Sequence, residues 1–164
     1  MRVFLENPLE DFRLRELSRL CGISPASVMN YLKQFEKEGF IRRHEKRGVP
    51  IYKAERDNNK FVNLKKLSIL YELEESGLID FLWNELCPKA IILYGSHVKG
   101  ESIEESDIDI FIIGKKREIS LSKFEKKLGK EVHLMFEINS KKIPEELKNN
   151  LINGIVLRGY FNAI

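Results

Sequence analysis

The sequence predicts an α+β fold made of two small domains and a helical connector. Residues 1–56 are typical of a helix, a turn, a second helix and a two-stranded hairpin. Residues 57–87 have apolar residues at helical spacing, which predicts the connector. Residues 88–164 alternate short apolar strands with short helices, which predicts a domain with a mixed sheet.

The composition is that of a globular chain that can bury a core, with 43% hydrophobic and 32% charged residues among 164. No apolar run is long enough to span a bilayer, and the first six residues have no signal-peptide character. We therefore expect a cytoplasmic protein without a membrane partner. Cys21 and Cys87 lack metal-site spacing, and we expect packed thiols in a reducing compartment.

Charge is unevenly distributed along the chain. Residues 1–60 hold 13 Lys and Arg against nine Asp and Glu, whereas residues 61–164 hold 15 against 16. The basic excess lies in the N-terminal third, which is where a nucleic-acid partner is expected.

The N-terminal pattern has clear start and stop signals. Gly22 is predicted to end one helix, and Ser24 with Pro25 to begin the next. Two strands follow, Phe40–His44 and Pro50–Ala54, joined by residues 45–49. Residues 8–56 resemble the winged helix-turn-helix family, with the second helix as its recognition helix.

This resemblance implies binding to double-stranded DNA, with the recognition helix in the major groove and the hairpin, or wing, against phosphates. It also favours a homodimer, since such proteins commonly bind paired half-sites. The alternative is a module for protein contacts whose charges only solvate it. The predicted DNA contacts are Ser24, Ser27, Asn30, Lys33 and Gln34 on the helix and Arg42, Arg43, Lys46 and Arg47 on the wing.

The segment from residue 90 to residue 114 carries the candidate chemistry. An apolar strand ends at Gly95 and Ser96, and ten residues later Asp107 and Asp109 begin a second apolar strand. Strand alternation places both carboxylates on one face, about 7 Å apart, where they suit Mg²⁺. The Gly-Ser turn, at the start of a short helix or loop, suits an anion. A phosphate site facing a divalent-metal site predicts phosphoryl or nucleotidyl transfer.

These residues resemble the minimal nucleotidyltransferases of the DNA polymerase beta superfamily. The similar parts are Gly-Ser-His-Val-Lys-Gly from Gly95 and Ser-Asp-Ile-Asp from Ser106. The resemblance implies that Asp107 and Asp109 hold Mg²⁺ or Mn²⁺ and that Gly95, Ser96 and Lys99 bind a nucleoside triphosphate, with ATP expected. It also implies a hydroxyl acceptor on a small molecule or protein, such as the HEPN-domain partners of antitoxins in this family.

One catalytic position departs from the resembled family. A third Asp is expected on the strand at residues 131–138, but His133 stands there. Imidazole suits Mn²⁺ or Zn²⁺ better than Mg²⁺ and can serve as a general base. By strand spacing, Glu131 could replace the missing carboxylate only with a shift in register, and Glu137 scarcely at all. Alternatively, His133 is only a polar residue on a half-exposed strand.

Two functions follow from these observations. In the first, the protein binds DNA and its C-terminal domain transfers a nucleoside monophosphate to a hydroxyl, with Asp107, Asp109 and His133 catalytic. In the second, the protein is a transcriptional regulator whose weakened transferase domain binds a nucleotide or partner without catalysis.

Overall fold

The computed structural model describes residues 1–138 and 143–161 as a mixed α+β chain, which confirms the predicted fold class. Its contacts divide it into two compact units, Met1–Lys65 and Lys66–Ile164. The predicted domain boundaries after residues 56 and 87 stay predictions. Within the described ranges, no helix combines the length and the apolar character needed to cross a membrane.

The first unit has the predicted order of helix, turn, helix and hairpin. Gly22 ends the helix before the turn in the left-handed conformation (φ 65°), and the Ser24 hydroxyl caps the next helix by accepting a hydrogen bond of 3.1 Å from the Ser27 amide. Its elements are α1 (Arg2–Glu6), α2 (Leu14–Cys21), α3 (Pro25–Lys37), β1 (Ile41–Lys46) and β2 (Val49–Ala54), followed by α4 (Asn59–Ser76), which contains the boundary between the units.

The hairpin turn is tighter than the sequence suggested. The predicted five-residue link over residues 45–49 is wrong, because β1 continues to Lys46 and β2 begins at Val49. Only Arg47 and Gly48 remain in the turn, with φ of 55° and 73°. Two positive φ angles match the twist of the flanking strands, so this turn places Arg47 at the wing tip.

A single apolar cluster holds the first unit together. Phe4 of the short helix α1 is buried in this cluster. Its ring packs edge-on against the ring of Phe12, with 5.4 Å between the ring centroids. Phe12 in turn exchanges backbone hydrogen bonds of 2.9 and 2.8 Å with Tyr52 of β2. Leu17 of α2 and Leu32 of α3 complete the contact with the hairpin, so the apolar faces of all three helices meet in one core.

The second unit is built on a four-stranded sheet in the order β5-β4-β3-β6, with β5 parallel to β4 and the other neighbours antiparallel. Because β3 and β4 are antiparallel, Gly95 at the end of β3 and Asp107 just before β4 lie at the same end of the sheet. Its elements after α4 are α5 (Leu78–Leu86), β3 (Ala90–Tyr94), α6 (Ser96–Lys99), β4 (Ile108–Ile113), α7 (Ser122–Leu128), β5 (Val132–Glu137), α8 (Glu145–Ile152) and β6 (Ile155–Gly159).

The two faces of this sheet bury different residues. Ile108 and Ile110 of β4 pack into a core that includes Leu82 of α5. Phe111, from the alternate position of the same strand, packs with Leu151 of α8. Because alternate residues point to opposite faces, Asp109 lies on the α8 side of the sheet.

Both cysteines are exposed free thiols, so the prediction that they are packed is wrong. Cys21 is the last residue of α2, and Cys87 follows α5 with φ of 45°. Each lies where a helix ends in a turn.

Candidate functional site

Three neighbouring strands bring the predicted catalytic side chains into one row. Asp109 of β4 pairs with Tyr94 of β3 on one side and with His133 of β5 on the other. Asp107 lies just before β4, with the same parity as Asp109. The parallel pairing of β4 with β5 is what places His133 beside the two carboxylates.

Gly95 follows the end of β3 and lies against the row of side chains, in a backbone conformation that other residue types rarely adopt. Its φ of 80° and ψ of −152° are essentially restricted to glycine. A Cβ at this position would overlap the Asp109 carboxylate oxygen Oδ2 and lie 3.3 Å from its Cγ. The glycine therefore lets the backbone pass directly against Asp109. Ser96 follows, half-buried, as the first residue of the four-residue helix α6.

The carboxylates and the imidazole form a compact cluster. The His133 Nδ1 atom lies 3.8 Å from Asp107 Oδ2 and 3.9 Å from Asp109 Oδ1. The opposite ring nitrogen, Nε2, lies 3.8 Å from Glu131 Oε2. Glu131 is therefore closer to the site than strand spacing suggested, because its side chain reaches along the strand. The expectation that Glu131 could replace the missing carboxylate only with a shift in register stays a prediction.

The donor atoms of this cluster suit a divalent cation. Ligand atoms about 2.1 Å from an ion lie ~3 Å apart when adjacent and ~4.2 Å apart when opposite. The distances from His133 Nδ1 to the Asp107 and Asp109 oxygens, 3.8 and 3.9 Å, fall between these limits. One donor atom each from Asp107, Glu131 and His133 lies within 4.8 Å of the other two. These residues could hold a metal ion without a change in the backbone.

Burial and neighbouring charge both act on Asp109. Burial raises the pKa of its carboxyl above the ordinary value, the imidazole of His133 opposes this, and the carboxylate of Asp107 adds to it. The pKa of Tyr94 is also raised, first by burial and then by the negative charge of Asp109. A raised pKa at both groups means that their surroundings disfavour negative charge there, and a bound cation would offset this cost.

The loop that carries Asp107 is held on both sides. Ser106 accepts a hydrogen bond of 2.8 Å from the Ile103 amide, and its own amide donates one of 3.1 Å to the Ile103 carbonyl. The Lys130 ammonium donates a hydrogen bond of 2.9 Å to the Glu104 carbonyl. These bonds keep the loop folded where it enters β4, and thereby fix the position of Asp107.

A cleft of about 480 Å³ opens beside Gly95. Lys99 lines it, as the family resemblance implied, together with Lys66 of α4. Three asparagines of the α8 region, Asn149, Asn150 and Asn153, also line the cleft. Sequence reasoning missed Lys66 and these asparagines because neither helix carries a recognisable motif. Two cations and several amides beside the carboxylate row can accommodate a polyanion.

All nine predicted DNA contacts are exposed on α3 and the hairpin. Ser24 and Ser27 engage each other, with 2.9 Å between their hydroxyl oxygens. On the wing, Arg42 lies 3.8 Å from Glu55, and Lys46 lies 3.4 Å from Asp11. The other five residues, Asn30, Lys33, Gln34, Arg43 and Arg47, also present their side chains to solvent.

Comparison with known proteins found a family match in each of two parts of the chain. Residues 77–157 match the nucleotidyltransferase domain family, and residues 13–42 match the winged helix-turn-helix DNA-binding family. A comparison with curated proteins gave no match. Among solved structures, a chain from the crystal structure of a toxin-antitoxin with AMP-PNP is 23% identical at a TM-score of 0.39. That alignment covers 52% of this chain and 73% of the other, and similarity at this level carries no argument about function.

The first of these matches spans β3, β4 and β5 and the first part of β6, and it includes Gly95, Asp107, Asp109 and His133. The second spans α2, α3 and the start of β1. The chain therefore carries a winged helix-turn-helix domain followed by a domain of the nucleotidyltransferase family.

Proposed function

We propose that the second unit transfers a nucleoside monophosphate from a nucleoside triphosphate to a hydroxyl, and that the first unit binds double-stranded DNA. The observation that carries the transferase proposal is the row formed by Asp107, Asp109 and His133 against Gly95, with the lysine-lined cleft beside it. Domains of this family generally use a divalent metal and a nucleoside triphosphate. The donor set and the cleft supply a place for each.

In the proposed reaction, the acceptor oxygen forms a bond to the α-phosphorus, and the bond from that phosphorus to the bridging oxygen breaks. Pyrophosphate leaves, and the acceptor's proton passes to a base. Lys99 and Lys66 face the cleft and neutralise phosphate charge there. Gly95 and Ser96 let the phosphates approach the backbone. Mg²⁺ or Mn²⁺, when bound, supplies charge neutralisation at the reacting phosphate.

Asp107 and Asp109 would hold the metal, which would supply charge neutralisation for the phosphate. Both must be ionised to do so, and the raised pKa of Asp109 means that protons compete with the metal more effectively there than at an ordinary carboxyl. His133 completes the catalytic cluster from β5. ATP is the proposed nucleotide. The acceptor is a hydroxyl on a small molecule or on a protein, with a HEPN-domain protein as the first to be tried.

The test is transfer of label from each α-labelled nucleoside triphosphate, with Mg²⁺ or Mn²⁺, to the protein itself or to proteins of a cell extract. The double variant Asp107→Asn, Asp109→Asn should lose transfer. The matched control is Glu104→Gln, Glu105→Gln, which removes two exposed carboxylates from the adjacent loop and should leave transfer unchanged. Equal transfer by the Asp107/Asp109 variant and the wild type would contradict the proposal.

A second candidate function is regulation without catalysis, favoured by one observation. His133, an imidazole, occupies the position where the family's third carboxylate is expected. In this function the second unit binds a nucleotide and changes the affinity of the first for DNA. A nucleotide-dependent change in DNA affinity, with no labelled product from any acceptor, would favour it over the transferase.

DNA binding is proposed on the basis of the exposed face of α3 and the wing. Asn30, Lys33 and Gln34 offer donors and acceptors that suit base edges, and Arg43 and Arg47 offer charges that suit phosphates. Lys46 and Arg42 lie near carboxylates of the same unit, at 3.4 and 3.8 Å, so a phosphate must compete with Asp11 and Glu55 for them. A homodimer is proposed, because each of its two winged-helix domains would then bind one of two paired half-sites on the DNA.

A further inference from the structure

The imidazole of His133 has carboxylates near both of its ring nitrogens. On the Nδ1 side lie Asp107 and Asp109, at nearly equal distances of 3.8 and 3.9 Å. On the Nε2 side lies Glu131, at 3.8 Å. In this position, one ring nitrogen can bind a metal ion and the other can donate a hydrogen bond to a residue that orients the ring.

The chemistry of the ring assigns those two nitrogens. A neutral imidazole carries its proton on one nitrogen and a lone pair on the other. A cation held by Asp107 and Asp109 requires the lone pair on Nδ1, because that nitrogen faces them. The proton is then on Nε2, where the Glu131 carboxylate can accept it. Metal-binding histidines almost always give their other N–H to such a partner, which fixes the ring and raises its basicity.

Glu131 is anchored well enough to serve as that partner. Its carbonyl accepts a hydrogen bond of 2.9 Å from the Ile108 amide, which ties its backbone to the start of β4. Its side chain is 79% exposed and that of His133 is 58% exposed, so neither is held by core packing. Their 3.8 Å separation is longer than a hydrogen bond, so the two side chains must move closer for Glu131 to accept the Nε2 hydrogen.

We propose that Asp107, Asp109 and the Nδ1 atom of His133 form one binding site for a divalent transition-metal ion, and that Glu131 positions the imidazole through Nε2. The inference rests on the proposed function, since it concerns the metal site of that reaction. Its consequence is metal selectivity. Imidazole binds Mn²⁺, Co²⁺ and Zn²⁺ better than Mg²⁺, so a site of two carboxylates and one imidazole favours the transition metals.

The experiment measures metal binding directly, without a nucleotide or a reaction. Free Mn²⁺ is followed by electron paramagnetic resonance during titration of the full chain, and Mg²⁺ is added as a competitor. We expect the wild type to bind Mn²⁺ roughly ten-fold or more tightly than Mg²⁺. His133→Asp, which restores a third carboxylate, should lose most of that preference.

The positioning role of Glu131 is tested by two substitutions of that residue. Glu131→Ala should weaken Mn²⁺ binding by roughly 10–100-fold, the usual effect of removing such a partner. Glu131→Gln should weaken it less, because the amide oxygen still accepts the Nε2 hydrogen. Glu137→Gln, on the same strand and with the same parity, is the control and should bind Mn²⁺ like the wild type.

Each other outcome overturns a defined part of the proposal. Unchanged Mn²⁺ affinity in His133→Ala would remove His133 from the site, while leaving Asp107, Asp109 and the transferase proposal intact. Equal losses in Glu131→Ala and Glu131→Gln would make Glu131 a charged ligand and not a positioning residue. Absence of Mn²⁺ and Mg²⁺ binding in the wild type would contradict this inference and the metal-dependent transferase together.

Discussion

The close approach of Gly95 to Asp109 makes Gly95→Ala the most informative single substitution. Two effects should add in this variant. Alanine must adopt φ of 80° with ψ of −152°, which costs about 1–3 kcal/mol in a region restricted to glycine. Its Cβ also overlaps Asp109 Oδ2, so the carboxylate must retreat by about 1 Å to reach normal contact distance.

The magnitude follows from these two terms. Forcing Asp109 from its rotamer costs about 0.5–1.5 kcal/mol more, so the unfolding free energy should fall by about 1.5–4.5 kcal/mol. In a unit of this size each kcal/mol lowers Tm by about 4–8 °C. Because Asp109 moves, nucleotidyl transfer should fall by about 10²-fold, the usual effect of a 1 Å misplacement at a reacting centre.

The assay is chemical denaturation of four proteins that form a double-mutant cycle: wild type, Gly95→Ala, Asp109→Ala and the double variant. Removing the Asp109 carboxylate relieves the overlap but not the backbone strain. Gly95→Ala should therefore cost more in the wild type than in the Asp109→Ala background. Gly77→Ala is the control for a positive φ without an overlap, since Gly77 has φ of 79° and ψ of 9° with open space around its missing Cβ, and it should cost less than Gly95→Ala. Equal costs of Gly95→Ala in both backgrounds would refute the packing of Gly95 against Asp109.

Three further predictions concern other parts of the chain. Asp109→Asn should raise Tm at neutral pH, because the raised pKa of Asp109 means that its ionisation destabilises the folded state. This gain in Tm should vanish below the ordinary carboxyl pKa, where Asp109 is protonated in both the folded and the unfolded chain. Arg42→Ala with Arg47→Ala should weaken DNA binding at all sequences and reduce the log–log salt slope by roughly one per arginine, measured by fluorescence anisotropy. Ser24→Ala removes the acceptor for the Ser27 amide and should cost about 1 kcal/mol of unfolding free energy.

Each of these three predictions would be contradicted by a specific result. A lower Tm for Asp109→Asn at neutral pH would mean that the carboxylate is stabilised and not strained by its surroundings. The charge-matched control for the wing is Lys115→Ala with Lys116→Ala, which also removes two positive charges. If this variant lost as much DNA affinity as Arg42→Ala with Arg47→Ala, the effect of the wing substitutions would be non-specific. An unchanged stability in Ser24→Ala would leave the start of α3 without its inferred cap.

The local parts of the site could be predicted from the sequence. The parity of Asp107 and Asp109 follows from strand alternation alone, and the turn at Gly95 follows from a glycine at the end of an apolar strand. Similarly, Ser24 and Pro25 marked the start of α3 because capping depends only on neighbouring residues. These features need no knowledge of tertiary structure.

The parts that were missed, or placed at the wrong distance, depend on contacts between different elements of the fold. Glu131 joins the cluster because β5 lies parallel to β4 and because the His133 ring turns its Nε2 toward it. Lys66 and Asn149 meet across the cleft from α4 and α8, which no local pattern relates. The wing turn was predicted too long, because the sequence did not reveal that Arg47, a non-glycine residue, takes a positive φ.

The most direct test of the proposed reaction compares ATP labelled at the α-phosphate with ATP labelled at the γ-phosphate, under identical conditions and with the same acceptor mixture. Transfer of a nucleoside monophosphate predicts label in the acceptor from α-labelled ATP only, with the γ-label recovered in pyrophosphate. Acceptor label from γ-labelled ATP, or from neither, would contradict the assignment of nucleotidyl transfer to Asp107, Asp109 and the adjoining cleft.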